Sequence, residues 1–291
     1  MPTFASSLPL TGRRALQPKV GSRTRRIRVR LLPFWGQTRH SARMIDLHLD
    51  GQIARFTLNR PEVRNALALR HWQGLADALP QIAESGARLL VVSGAGGAFS
   101  AGADLSEFET FLDDAAARTA FRQAMRAAME GLAALPIATI AWIDGPCFGA
   151  GVALAMACDL RLAAPAARFA ITPAKMGIGY PQEDVARLVA LVGPGWASRL
   201  LFTGAPIDAA TAAQIGLIEG IADSPDALIA EIAACDPGSV AMLKRGIGLA
   251  VDGVAADAEQ DARFDSMLGS DVLRDRLSRR RAPPGLPPAS P

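Results

Sequence analysis

Apolar and polar residues alternate from Ile45 through Leu47 to Leu49, Asp50-Gly51 supplies turn chemistry, and Ile53–Leu58 return as a second run. This pattern predicts a β-hairpin that Met44 opens. Trp72, Leu75, Leu79 and Ile82 then recur at helical spacing, which predicts a helix over Arg70–Glu84, followed by a buried strand at Arg88–Val92. Phe121, Met125, Met129 and Leu132 mark a second helix over about Asp113–Leu135, stopped by Pro136, before the apolar strand Ile137–Ile143. A helix at Gly149–Cys158 and strands at Leu160–Ala163 and Ala167–Ile171 continue the alternation. Strand and helix in turn predict an α/β architecture, with ligands at the carboxyl ends of strands. Beyond residue 184 strands nearly vanish: Asp184–Leu191, Gly195–Leu201, Asp208–Ile215, Asp226–Ala234 and stretches after Ser239 all read as helical.

Half of the 291 residues are apolar, enough for one sizeable core. No apolar run approaches the roughly 20 residues of a membrane span, so no membrane association is expected. Cys147, Cys158 and Cys235 have no paired spacing, and His40, His48 and His71 lie apart from them and from each other. No metal is expected, and a reducing, cytoplasmic setting fits. The net charge of +3 hides an asymmetry, because residues 1–43 carry ten Lys/Arg and no acidic residue. The rest holds 21 basic against 28 acidic side chains, a balance of about −7. Such a leader is compatible with a nucleic-acid arm or an organelle transit segment, but it is expected to be a disordered extension. Nothing in the body repeats its basic character, so no nucleic-acid partner is expected.

Two glycine-rich segments carry the candidate chemistry. Ser93–Leu105 (SGAGGAFSAGADL) follows a buried strand but lacks the Gly-Lys-Ser/Thr ending of a P-loop and the glycine spacing of a dinucleotide fingerprint. Asp144–Gly151 (DGPCFGAG) follows another buried strand and opens a helix of small residues. Glycine and alanine at strand ends let backbone N–H groups approach a ligand closely, and a helix start leaves donors unpaired. Either turn alone is ordinary tight-turn chemistry. Their pairing points to an oxyanion hole.

Phe56–Glu62 (FTLNRPE), Arg64–Leu67 (RNAL), Ala98–Leu105 (AFSAGADL), Asp144-Gly145-Pro146, Gly149-Ala150-Gly151, Leu154–Asp159 (LAMACD), Leu201–Gly204 (LFTG) and Gly216-Leu217-Ile218 keep order and spacing. In these motifs the sequence resembles the crotonase (enoyl-CoA hydratase/isomerase) superfamily over nearly all of Met44–Pro284. The resemblance implies an α/β fold with a crotonase-like ββα spiral core over residues 44–203 and a helical C-terminal trimerisation region over 204–281. A Pro-rich tail occupies 282–291. It also implies a CoA thioester as ligand, no separate cofactor, and homotrimers or homohexamers. The oxyanion donors would be the N–H groups of Ala103 and Ala150, each worth on the order of 3 kcal/mol in the transition state. Arg64, Ala101, Asp104, Leu105 and Gly149 would border the bound ester, with Arg64 near the CoA phosphates.

The two glutamates typical of hydratases correspond here to Ala153 and Pro173, neither of which can move a proton. Thr172-Pro173 followed by Gly177 and Tyr180 is similar to the methylmalonyl-CoA decarboxylase branch, which makes Tyr180 a candidate catalytic residue and decarboxylation an alternative reaction. Glu183 and Asp184 are candidate acid–base residues, although acidic side chains before a helix also serve as capping and dipole partners. The reading is therefore an acyl-CoA enzyme of hydratase, isomerase or lyase type. A CoA-ester-binding protein without catalysis is the alternative from another class.

Overall fold

The computed structural model describes residues 45–281, so the expectations for the leader and the Pro-rich tail lie outside the described residues. The hairpin is present as β1 (Ile45–Asp50) and β2 (Ile53–Leu58). Helix α1 (Leu69–Glu84) leads to β3 (Leu89–Gly94), and α2 (Phe108–Asp113) and α3 (Ala115–Ala133) to β4 (Ala138–Ile143). Next come β5 (Pro146–Phe148), α4 (Ala150–Met156), β6 (Leu160–Ala163) and β7 (Arg168–Ala170). The remainder is α5 (Gln182–Thr203), β8 (Ile207–Asp208), α6 (Ala209–Gln214), β9 (Gly220–Ile221), α7 (Asp226–Ala233), α8 (Pro237–Val251), α9 (Ala258–Leu268) and α10 (Asp271–Arg281).

A six-stranded sheet runs in the order β1-β2-β3-β4-β6-β9, parallel except for the β1–β2 hairpin. A three-stranded sheet, β5-β7-β8, stands beside it. Strand β3 is apolar without interruption because both its faces are covered. Leu90 and Val92 join the main core with Trp72, Leu75 and Ile82 of α1 and Met129 and Leu132 of α3. Leu89 and Val91 form a second cluster with Ile140 and with Ile229 of α7. The large sheet thus separates two helical layers.

The helix expected over about Asp113–Leu135 is present as α3, which Asp114 opens by accepting from the N–H groups of Ala116 (2.8 Å) and Ala117 (3.0 Å). Other expectations are corrected. The second glycine-rich segment holds a short strand, β5, that pairs with β7. Gly193 (φ 71°, ψ 166°) divides α5 into two helical segments, as the separate runs Asp184–Leu191 and Gly195–Leu201 predict. By length and composition alone α5 could cross a bilayer, contrary to the expectation of no such run, but the break leaves two segments of about half the length a span needs.

Candidate active site

The first turn is held from below by Asn65, a buried residue in left-handed conformation (φ 57°). Its amide donates to the carbonyls of Ala95 (2.9 Å) and Ala98 (2.8 Å), and its side-chain oxygen accepts from the Arg60 N–H (2.8 Å). Ser100 donates its hydroxyl to the Asn65 carbonyl at 2.8 Å and accepts the Gly102 N–H at 3.1 Å. Leu67 then pairs with Ala103 as a parallel bridge: Leu67 N–H donates to Gly102 O (2.8 Å) and Asp104 N–H to Leu67 O (3.0 Å). In that pattern the N–H of Ala103 points away from Leu67. It has no acceptor among the described residues.

The second turn is tied to the first by its backbone. Ser100 N–H donates to Pro146 O (3.1 Å), and Phe148 N–H donates to Ser100 O (2.8 Å). Gly149 then takes φ 49°, ψ −118°, a conformation open to glycine, with its N–H on Ala170 O at 2.8 Å. Ala150 begins α4, so its N–H is one of the unpaired donors of a helix start and has no acceptor among the described residues. The chain approach is close: a Cβ on Gly102 would lie 2.9 Å from Phe148 O and 3.4 Å from Ala150 N. A Cβ on Gly151 would lie 2.8 Å from the Cβ of Ser100. Two strand ends, laced through Ser100, thus bring the Gly102-Ala103 and Gly149-Ala150 peptides side by side, with neither terminal donor bonded among the described residues. Alanine fits at Ala150 because its φ is negative; among the described residues only Arg64 and Asn65 are non-glycine positions with positive φ.

Around this pair the side chains differ in standing. Ala153 is fully buried in α4 and Pro173 starts a 3₁₀ turn, so neither position offers a carboxylate. Tyr180 donates its hydroxyl to Gly149 O at 3.0 Å, and burial, followed by the nearby Asp184, raises its pKa well above that of a free phenol. Glu183 is half-exposed and paired with Arg126 at 3.0 Å. Asp184 is 1% exposed, and neither of its oxygens has a hydrogen-bond partner. Arg187 forms an ion pair with it at 3.6 Å, longer than a hydrogen bond. Burial lifts the Asp184 pKa to about 6 against the pull of Arg187, with Glu183 and Glu130 adding to the rise. Met125 and Met129 of α3 face Pro181, Glu183, Asp184 and Arg187 across a cleft.

The other residues named from the sequence are placed as follows. Asp104 pairs with Arg60 at 2.8 Å and accepts from the Ser106 N–H and hydroxyl. Burial opposes its charge, but the Arg60 and Ser106 bonds prevail and hold its pKa down to about 2. It is a bracket for the turn and not a proton carrier. Arg64, Ala101 and Leu105 are exposed beside the turn, and Gly149 supplies the peptide just described. Asn65, Ser100 and Gly151 were quoted in the motifs without a role. For Asn65 and Ser100 the signal was available: a small polar residue in the loop after β2 and after β3, where backbone groups need partners.

A family model described as enoyl-CoA hydratase/isomerase matches residues 49–245. The chain belongs to this family. Within it, the chain is 34% identical over 246 residues to "Probable enoyl-CoA hydratase echA6" of Mycobacterium tuberculosis, covering 83% of this chain and 98% of that protein. An enoyl-CoA hydratase/carnithine racemase from Magnetospirillum magneticum superposes with a TM-score of 0.77 at 32% identity, over 82% of this chain and 92% of that one. The enoyl-CoA hydratase of Thermoplasma volcanium gives 0.76 at 27% identity, over 82% and 98%. As an enoyl-CoA hydratase/isomerase family enzyme, the protein has the crotonase fold that its motifs implied.

Proposed function

We propose that the protein binds an acyl-CoA thioester with its carbonyl oxygen between the N–H groups of Ala103 and Ala150, and that Asp184 moves a proton on the acyl chain. The observation that carries this reading is the pair of acceptor-free N–H groups on adjoining peptides, one of them at a helix start. A single buried carboxylate that makes no hydrogen bond and has Arg187 3.6 Å away suits double-bond isomerisation better than hydration. Asp184 would take a proton from the carbon next to the thioester carbonyl of a 3-enoyl-CoA. The electron pair moves into the carbonyl, the two N–H groups hold the oxyanion, and the proton returns to the γ carbon as the 2-enoyl-CoA forms. No atom is gained or lost, and one group serves both transfers. At neutral pH a carboxyl with a pKa of about 6 is mostly ionised and ready as a base. Hydration would require a second carboxylate to hold the water, and Ala153 and Pro173 supply none.

Coenzyme A is part of the substrate in this reading, and the chemistry falls to the chain's own residues. The proposed setting is the cytoplasm. A homotrimer or homohexamer is proposed as well, because Leu243, Ile247 and Val251 form an exposed stripe on α8 beside exposed Phe264 and Leu268 on α9.

Mass-spectrometric assay of 3-enoyl-, 2-enoyl- and malonyl-type CoA esters in deuterated water tests the reaction. The expected result is conversion of the 3-enoyl ester, with kcat lowered at least 100-fold in Asp184→Asn. Turnover of malonyl-type esters alone would favour the decarboxylase. Tight ester binding without any turnover would favour the non-catalytic protein and overturn the isomerase.

A further inference from the structure

The Tyr180 hydroxyl donates to the carbonyl oxygen of Gly149, and that carbonyl belongs to the same peptide group as the Ala150 N–H. We infer that Tyr180 is a positioning residue which orients and polarises the Ala150 oxyanion donor through their shared peptide plane. The inference rests on the oxyanion reading above. A donor on an amide oxygen draws electron density from nitrogen through amide resonance and strengthens the N–H as a donor at the other end. Gly149 O already accepts from the first turn of α4, from Val152 N–H at 2.9 Å and Ala153 N–H at 3.3 Å. Tyr180 is the side chain that adds to these two among the described residues. The orientation needs an external hold, because Gly149 sits at φ 49°, ψ −118°, and glycine alone sets no preference for it. Ala170 O fixes one side of Gly149 and Tyr180 fixes the other. With its proton committed to a backbone oxygen, the phenol has no role as a proton shuttle, which also weakens the decarboxylase alternative that Tyr180 suggested.

Tyr180 is the only tyrosine in the sequence, so biosynthetic incorporation of ring-fluorinated tyrosines alters one side chain and makes its hydroxyl a stronger donor. The readout is the carbonyl stretch of bound hexanoyl-CoA labelled with carbon-13 at the thioester, followed by Raman difference spectroscopy, together with kcat and KM. In the unsubstituted protein the stretch should fall to lower frequency on binding. In Tyr180→Phe the fall should shrink, with kcat down about two- to fivefold and KM nearly unchanged, as expected for a 10–30% weakening of one oxyanion bond. Fluorinated tyrosines should exceed the native shift, and the more so the more acidic the phenol. A folded Tyr180→Phe with the native shift overturns the inference while leaving the oxyanion reading intact. No shift in the unsubstituted protein overturns both. If Tyr180→Phe does not fold, the fluorinated series decides alone: a shift that rises with phenol acidity supports the inference, and a flat response overturns it.

Discussion

Asp184 is kept where ionisation works against the fold. In the unfolded chain it ionises near 3.8, and in the native state not until about 6. Below about pH 4 both states are protonated and the side chain imposes no penalty. As pH rises through 6 the native state gives up a proton it holds more tightly, and stability falls by at most about 3 kcal/mol. Asp184→Asn is therefore expected to stabilise the protein by about 1–3 kcal/mol at pH 8 and by little at pH 4, measured by urea denaturation at both values. An equal effect at the two pH values would show that the carboxylate is not strained. The same substitution that should abolish turnover should thus strengthen the fold, a conflict typical of a functional group. Asp184 could be named from the sequence, but its difference from Glu183 could not be read from adjacency. Helix phase holds the distinction: Asp184, Leu188 and Val192 fall on one stripe, and all three are buried, whereas Glu183 turns to Arg126. The partner of Tyr180 was beyond reach, because a contact 31 residues away with a main-chain oxygen leaves no trace in residue type.

At the scale of elements, the site depends on how closely α4 and the two turns approach one another. Gly151→Ala would place a methyl 2.8 Å from Ser100 Cβ and 3.0 Å from Ser100 O, and the turns would have to part. The expected cost is about 1–3 kcal/mol of stability, seen as a lower Tm, with a larger proportional loss in kcat because the two donors diverge. A variant with lowered Tm and unchanged kcat would show that the spacing is looser than the geometry implies. The apolar elements were legible, since α1 carries its helical period and β3 its run of Leu89–Val92 in plain apolar residues, and the break at Gly193 falls between the two helices read at Asp184–Leu191 and Gly195–Leu201. Helix α2 was not, because Phe108–Asp113 is too short for helical spacing to register. Strand β5 escaped notice because three residues, Pro146, Cys147 and Phe148, are too few for alternation to register.

For the whole molecule, a single chain leaves Leu243, Ile247, Val251, Phe264 and Leu268 exposed on neighbouring helices. Light scattering coupled to size-exclusion chromatography is expected to give three or six times the chain mass of 30.5 kDa. A monomer at micromolar concentration would remove the proposed assembly. The architecture was readable from ordered motifs because their glycines and small residues answer to backbone geometry, which tolerates few alternatives. The reaction was not, because Ala153 and Pro173 give only negative information and the carboxylate proposed in their place, Asp184, lies on another helix. This division follows from where the two proposed oxyanion donors reside. They are main-chain atoms, so no exchange of side chain short of proline deletes them, and the capacity to grip a thioester is inherited with the path of the backbone. Under the proposed function, the side chains at positions such as 153, 173 and 184 can therefore set which reaction follows, while the hold on the acyl group stays with the backbone.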